Sequence, residues 1–343
     1  MSEMQHRGRP EGNGKSGRKV LNILLTFLLF FLILVLIGMG YTLAMLGKMN
    51  YVGYAEATVS PEELEKYLEQ NTQAAQSGEE EEEIVLDSTP GEKLDSTNVR
   101  HILLIGEDAR PGESRGRSDA MILCSFHTEE KKLTVISFLR DLYVTIPGYT
   151  DHKLNSAYAW GGMRLLQETL LQNFGIEIDG CFAVDFQAFQ KVIDRLGGVD
   201  ILLTAEEAKY LGCPQGVNRL SGSTALTYAR IRSIGEGDFG RTERQRKVIG
   251  ALLSKCGGMN AAQLHALLND VLPLVDTNVE QKEMLQLGME LLPVLAGGCE
   301  TEKLCIPTEG AYRYAWVKGM SVLVADMEEN REMLRQTLLD AKW

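Results

Sequence analysis

The sequence predicts a layered α/β domain, with helices covering a sheet, carried behind one N-terminal transmembrane helix. Three observations predict it. Between Val99 and Pro147, the apolar and β-branched runs VRHILLIG, AMILCSF, LTVISFL and DLYVTIP alternate with charged loops, the texture of strands. From Met163 onward, apolar residues recur at three- and four-residue spacings, the texture of helices, and strands interleaved with helices imply packed layers. From Val20 to Gly47 no charged residue occurs, a run longer than the ~20 apolar residues that span a bilayer.

Taken in order, residues 1–19 form a cytoplasmic tail, because Arg7, Arg9, Lys15, Arg18 and Lys19 precede the apolar run and the chain beyond it turns acidic. Residues 20–47 form the membrane helix. A cleaved signal peptide is the alternative, but its apolar region is usually about 7–15 residues, roughly half of this run. The expected topology is single-pass type II at the cell membrane, with the C-terminal domain extracytoplasmic. Residues 48–97 read as a stalk helix over Pro61–Gln76, with Ser60 as N-cap and Pro61 at the first helical position, then a solvated, mobile linker containing five consecutive carboxylates, Glu79–Glu83. Residues 98–343 form the extracytoplasmic domain. Its helices read as MRLLQETLLQNF, FQAFQKVIDRL, TERQRKVIGALLSK, AAQLHALLNDVLPLV and QKEMLQLGMELLPVL; KLCIP and AYRYAWVKGMSVLVAD add strands before a last helix, EENREMLRQTLLDA.

The formal charge of -12 excludes a general nucleic-acid binder, which needs clustered Lys and Arg in excess of acids, so any anion site here is a local basic cluster. The six cysteines (Cys124, Cys181, Cys213, Cys256, Cys299, Cys305) show no paired C-x-x-C spacing, which argues against zinc. Free buried thiols are expected, with Cys299 and Cys305 near enough in sequence to bridge a short loop outside the cell.

Three polar clusters sit where strands end or helices begin, the usual ligand positions of α/β sheets. The first holds Asp108 and Arg110 after VRHILLIG, then Arg115, Arg117, Ser118 and Asp119 before the next strand. Two readings stand. The aspartates hold a hard divalent cation that also takes phosphate oxygens, with the arginines sharing those oxygens, or they pair with Arg110 and Arg117 in a surface loop. The second cluster is Arg140-Asp141 followed by Lys153 and Asn155; ordinary solvation explains an Arg-Asp neighbour pair as well as function does. The third runs from Arg230 and Arg232 through Asp238 to Arg241, Gln245, Arg246 and Lys247, with six basic residues against three acids between Arg230 and Lys247. A helix opening there puts Arg241 and Gln245 on one face near an anion-favouring N-terminus, a geometry suited to a diphosphate; a solvated basic face is the plainer reading.

Taken together, NVRHILLIGEDAR, RSDAMILCSF, VISFLRDLYVTIPG, KLNSAYAWGG, CFAVDFQAFQKVIDRLGGV, LSGSTALTYARIR and DFGRTERQRKVI, in this order behind one membrane helix, resemble the LytR-CpsA-Psr family. The resemblance spans 99–254; beyond Ser254 no motif of the family is legible. It implies an α/β/α domain with a central mixed sheet and a magnesium-dependent phosphotransferase. Such an enzyme moves a glycopolymer (teichoic acid, capsule or another wall glycan) from a polyprenyl pyrophosphate carrier to peptidoglycan through a phosphodiester, releasing polyprenyl phosphate. Carried over by position, Asp108 and Asp119 are the metal-linked and catalytic aspartates, with Arg140 and Asp238 also catalytic. Arg110, Arg117, Arg140, Arg230, Arg232, Arg241 and Gln245 bind pyrophosphate, and Lys153 and Asn155 match the K-x-N motif. The chain departs from the pattern at Leu139, where the family often has proline, and at Arg246, where it has a second glutamine.

An isoprenoid tail needs an apolar tunnel, for which Phe182, Phe186, Phe189, Val192, Ile193 and Leu196 are candidates; ordinary core packing explains the same residues. The expected partners are therefore the lipid-linked glycopolymer, the peptidoglycan acceptor and the membrane, with no nucleic acid. Two other function classes stay open: a lipid pyrophosphatase, in which water attacks, and a non-catalytic envelope regulator or lipid-binding protein.

Overall fold

The computed structural model describes residues 40–53, 59–60, 64, 81–86, 89–94, 98–108, 116–235, 237–296 and 300–339. Residues 20–39 of the expected membrane helix, and nearly all of the expected stalk helix, lie outside them. Among the described residues no helix is long and apolar enough to cross a membrane.

Seven strands form a central mixed sheet: β1 (Asn50–Tyr51), β2 (Val99–Asp108), β3 (Arg117–His127), β4 (Lys132–Phe138), β7 (Gly180–Asp185), β10 (Asp276–Thr277) and β11 (Glu300–Ile306), in the order β1-β10-β7-β2-β3-β4-β11. β2 and β7 run parallel, as do β4 and β11, whereas β2-β3 and β3-β4 are antiparallel. Three two-stranded ribbons stand apart: β5 (Tyr143–Val144) with β6 (His152–Lys153), β8 (Val199–Leu203) with β9 (Gly216–Leu220), and β12 (Tyr312–Val317) with β13 (Met320–Ala325). The helices are α1 (Leu154–Phe174), α2 (Phe186–Arg195), α3 (Ala205–Leu211), α4 (Gly222–Arg230), α5 (Asp238–Gly257), α6 (Ala261–Val271), α7 (Gln281–Ala296) and α8 (Met327–Leu339).

Strand side chains alternate between two faces, so β2, β3 and β4 each feed two cores. Leu103, Leu123, Ile136 and Phe138 face one side and pack with Leu166 and Leu170 of α1 and with Leu334 and Leu338 of α8. Ile102, Ile122, Cys124 and Val135 face the other, beneath Ile249 of α5 and Leu287 and Leu291 of α7. A satellite core joins α2, β8, β9, α3 and α4 through Ile193, Val199, Ile201, Leu220, Ala225 and Tyr228.

Three expectations change. DLYVTIP gives only the two-residue strand β5, because the chain leaves the main sheet after β4: Leu323 donates its backbone N–H to Asp141 O at 2.9 Å, tying this segment to β13 instead. α1 begins at Leu154 rather than Met163 and bends at Gly161-Gly162, where Gly162 takes φ 65°, a left-handed value that favours glycine. The described parts of the 48–97 segment belong to the domain rather than to a stalk or mobile linker. β1 pairs with β10, Ile84 and Leu86 pack on the β12-β13 ribbon, and Leu94 is buried in the main core. Behind the glutamates, Ile84 and Leu86 turn to the ribbon while Val85 between them is exposed, an extended-chain alternation that offsets the solvation preference of the carboxylates. Gly91 and Leu94 donate their backbone N–H groups to Gln172 O and Gly175 O at the end of α1, where a Cβ on Gly175 (φ 70°) would stand 1.9 Å from Glu92 O.

Cys124, Cys181, Cys213 and Cys305 are free thiols, the first two buried; Cys299 lies outside the described residues.

Candidate active site

At one end of the central strands, β2 finishes at Asp108 and β3 carries Asp119 two residues after its start. The ladder pairs Gly106 with Ala120 but Glu107 with Ser118, so Asp119 is the extra residue of a β-bulge. A bulge re-aims its residue, and here Asp119 borders the same pocket as Asp108 although the two would otherwise lie on opposite faces. Glu107, on the far side, accepts a hydrogen bond from Tyr158 Oη at 3.2 Å and another from the Gly116 backbone N–H, pinning both ends of the hairpin loop.

From the end of β4, Arg140 donates through Nη1 to Asp119 Oδ1 at 2.5 Å and through Nε to Asp141 Oδ2 at 3.3 Å, while Lys153 Nζ donates to Asp141 Oδ1 at 2.7 Å. Burial pushes the Asp141 carboxyl up, but Lys153, Arg140 and Arg241 outweigh it and hold the group below the ordinary carboxylate range. Asp141 thus ties Lys153 to Arg140. Asn155 gives only its backbone N–H to Arg140 O, at 3.2 Å. Leu139, in place of proline, uses the N–H that proline lacks to bond Ile306 O at 2.8 Å.

The first turns of α5 close the pocket. Arg241 and Gln245, one turn apart, both border it, together with Arg140, Arg230 and Arg232. Arg241 is 2 % exposed, and its Nε and Nη2, like Gln245 Oε1, are buried without a hydrogen-bond partner among the described residues. Asp238 Oδ1 stands 3.1 Å from Arg241 Nη2 and 3.6 Å from Arg232 Nε. Burial lowers the Arg241 guanidinium to about 10; Asp238 opposes the shift, and Arg140 and Arg232 reinforce it. A buried guanidinium with unused donors and cationic neighbours is a site prepared for an anion. Arg230 lies over the Phe186 ring, 4.6 Å from its centroid.

The pocket, about 260 Å³, does not end at the arginines. Gly106, Ala120, Val184, Phe189, Ala229 and Gln245 are also walls of a second, almost wholly apolar cavity of about 580 Å³ between the sheet and helices α2, α5 and α7. Charge at the mouth and hydrocarbon below suit an amphiphile with an anionic head.

Of the tunnel candidates, Phe182, Phe189 and Val192 line the apolar cavity, and Phe186 borders the charged pocket. Ile193 and Leu196 line neither. Ile193 is fully buried in the satellite core, against which Phe189 also packs, and Leu196 is buried at the C-terminal end of α2. Arg117 does not border the pocket: it is exposed at the outer end of β3, opposite Asp108 in the ladder. Arg110 lies outside the described residues. Arg246 points at the sheet, donating to Ser137 Oγ at 2.8 Å.

Sequence reasoning missed Arg244. It is buried, donates to Glu207 Oε1 at 2.8 Å, and bonds the carbonyls of Ile231 and Ile234, which fixes the loop that carries Arg232. Glu207 also closes the capping box of α3 with Thr204. The T-x-x-E spacing was the readable half of that signal; its partner thirty-seven residues away was not.

Among the described residues no three His, Cys, Asp or Glu side chains cluster as a closed metal site. The donors at hand are the two carboxylates of Asp108 and Asp119, a hard oxygen set that suits magnesium when phosphate oxygens and water complete its shell.

A family profile, LytR_cpsA_psr, matches residues 62–338, well past the motifs that end near Ser254. The regulatory protein MsrR of Staphylococcus aureus is 35% identical over 216 residues, covering 62% of this chain and 65% of its own length, so the match spans a little under two thirds of that relative. The polyisoprenyl-teichoic acid–peptidoglycan teichoic acid transferase TagV of Bacillus subtilis is 30% identical over 250 residues, 69% of this chain and 63% of TagV. Among solved structures, TagT with bound octaprenyl pyrophosphate lipid superposes with a TM-score of 0.56 at 22% identity, over 76% of this chain and 100% of that one.

Proposed function

The chain belongs to the LytR-CpsA-Psr family, and on that premise we propose that it is a membrane-anchored glycopolymer phosphotransferase. It takes a glycopolymer from a polyprenyl pyrophosphate carrier and joins it to peptidoglycan. The carrying observation is the buried, donor-rich Arg241 in a charged pocket that shares several walls with an apolar cavity. A diphosphate lies at the arginines and its isoprenoid tail lies in the cavity; octaprenyl pyrophosphate, the lipid bound to TagT, unites the same two chemical parts.

Phosphoryl transfer asks a protein for charge neutralisation and in-line positioning rather than a covalent nucleophile. Arg241 and Arg140 meet the diphosphate oxygens from α5 and from the end of β4. Arg230 and Arg232 meet them from the α4 end. Asp119 and Asp141 hold Arg140 in place, and Asp238 orients Arg241 and Arg232. An acceptor hydroxyl attacks the glycan-bearing phosphorus; the new P–O bond forms as the bond to the lipid-side phosphate breaks. The hydroxyl proton is lost and polyprenyl phosphate leaves. When bound, a magnesium ion held by Asp108 and Asp119 would supply Lewis-acid neutralisation of phosphoryl oxygens. The domain acts on the outer side of the membrane, with the basic N-terminal tail inside.

The test is incubation of the full chain with lipid-linked glycan, with and without peptidoglycan fragments. Coupled product supports transfer; free phosphorylated glycan would assign a pyrophosphatase instead, and no turnover of a bound lipid a regulator.

A further inference from the structure

The apolar cavity continues toward the N-terminal segment. Leu46, Met49 and Met284 line its far end, and the same three residues line a larger open groove of about 1010 Å³ between the 40–51 segment and α7. Helix 40–46 is held there by Tyr41 Oη with His265 and by Lys48 Nζ with Asn269, and β1 fixes the following residues to β10. The groove is therefore built partly by the last turns of the uncharged run that began at Val20. Glu280, Gln281, Lys282 and Gln286 border it on the α7 side, and beside it Tyr41, Tyr51, Val52 and Met289 stand 43–63% exposed, with charge next to apolar surface and two tyrosines, the mixture that settles at a bilayer interface.

We propose that this groove is the lipid portal: the distal isoprenoid tail of the carrier leaves the cavity between Met49 and Met284 and runs along the 43–51 segment into the bilayer. The proposal rests on the transferase reading and adds the route of the tail. Size supports it, since a cavity of about 580 Å³ has the volume that encloses a drug-sized ligand, whereas a long polyprenyl chain is larger. Continuity supports it too. The tail needs no water-exposed stretch between headgroup site and membrane, which the hydrophobic effect would penalise for every exposed methylene. The carrier would then react without leaving the bilayer.

The test uses the full chain in phosphatidylglycerol vesicles and two probes, farnesyl pyrophosphate, whose short tail ends inside the cavity, and octaprenyl pyrophosphate, whose tail passes the portal. Met49→Trp and Met284→Trp narrow the junction. Each is expected to weaken octaprenyl pyrophosphate binding at least tenfold while farnesyl pyrophosphate stays within twofold, which also shows that the variant is folded. No loss for either probe would overturn the portal. If a tryptophan variant loses both probes, the milder Leu46→Phe decides: a loss confined to the long lipid upholds the proposal, and a shared or absent loss ends it. A parent chain that binds neither probe would sink the transferase reading itself, a result distinct from failure of the portal alone.

Discussion

The two faces of the central sheet are built from the same strands and end in opposite states. On the α1 and α8 side, Leu103, Leu123, Ile136 and Cys181 are fully buried in solid packing. On the other face, Leu104 of β2 and Phe182 and Val184 of β7 border a hollow, and all three are only partly buried. The helices above decide the difference: α1 runs close over its face, whereas α5 and α7 stand off and leave the cavity between them. A core whose one face is solid and whose other is hollow separates stability from binding, so substitutions on the two faces should be read by different measurements.

The largest expected effect lies at the mouth of the hollow face. Arg241→Ala should abolish transfer and weaken farnesyl pyrophosphate binding by about 10- to 100-fold, since a charge-assisted bond contributes roughly 1.5–3 kcal/mol. The unliganded protein should melt no lower than the parent. The folded-state pKa of Arg241 is depressed to about 10, so at every lower pH its charge costs stability, a cost that begins to fade only as pH rises past that value. Equal affinity for parent and variant, or a clear drop in Tm without ligand, would remove Arg241 from the site.

On the solid face, Leu123→Ala should lose about 3–5 kcal/mol in a urea titration while lipid affinity is kept in the folded fraction. A similar loss of affinity would mean that the faces are not separable.

Acid should act on the solid side next. His101, bonded to Ser125, and His152, packed over Trp160, are held neutral by burial down to about 4. Unfolded, both take a proton at about 6.5. Their contribution is complete above that value and falls as pH drops toward 4, by a few kcal/mol together. A Tm that stays flat between pH 7 and 4 would contradict it. Smallest is Leu104→Ala in the cavity wall, expected to cost under about 1.5 kcal/mol because it enlarges an existing hollow, yet to weaken octaprenyl pyrophosphate binding measurably. A loss as large as that of Leu123→Ala would show the hollow to be packed in solution.

The strands from Val99 to Phe138 and the longer helices were legible because their periods are sustained. The satellite layer was not: β8, β9 and α3 span five to seven residues each, too short for a period to declare itself. In the site, the shared face of Arg241 and Gln245 near a helix start followed from helical spacing. The pairing of Asp119 with Arg140 rather than Arg117 did not, because it depends on strand order and on a bulge. Alternation reads the same whether a side chain faces another helix or an empty space, so Ile193 and Val192, neighbours in one helix, were equally good tunnel candidates until the fold separated them.

The bulge at Asp119 makes the site sensitive to counting. Substituting Asp119 changes one side chain, whereas deleting Ser118 would restore a regular ladder from Ala120 outward and turn Asp119 toward α1. Length in this hairpin arm is therefore under a constraint that residue identity does not reveal. Two relatives that differ by a single gap here should be aligned by the direction their aspartate faces, not by the aspartate itself.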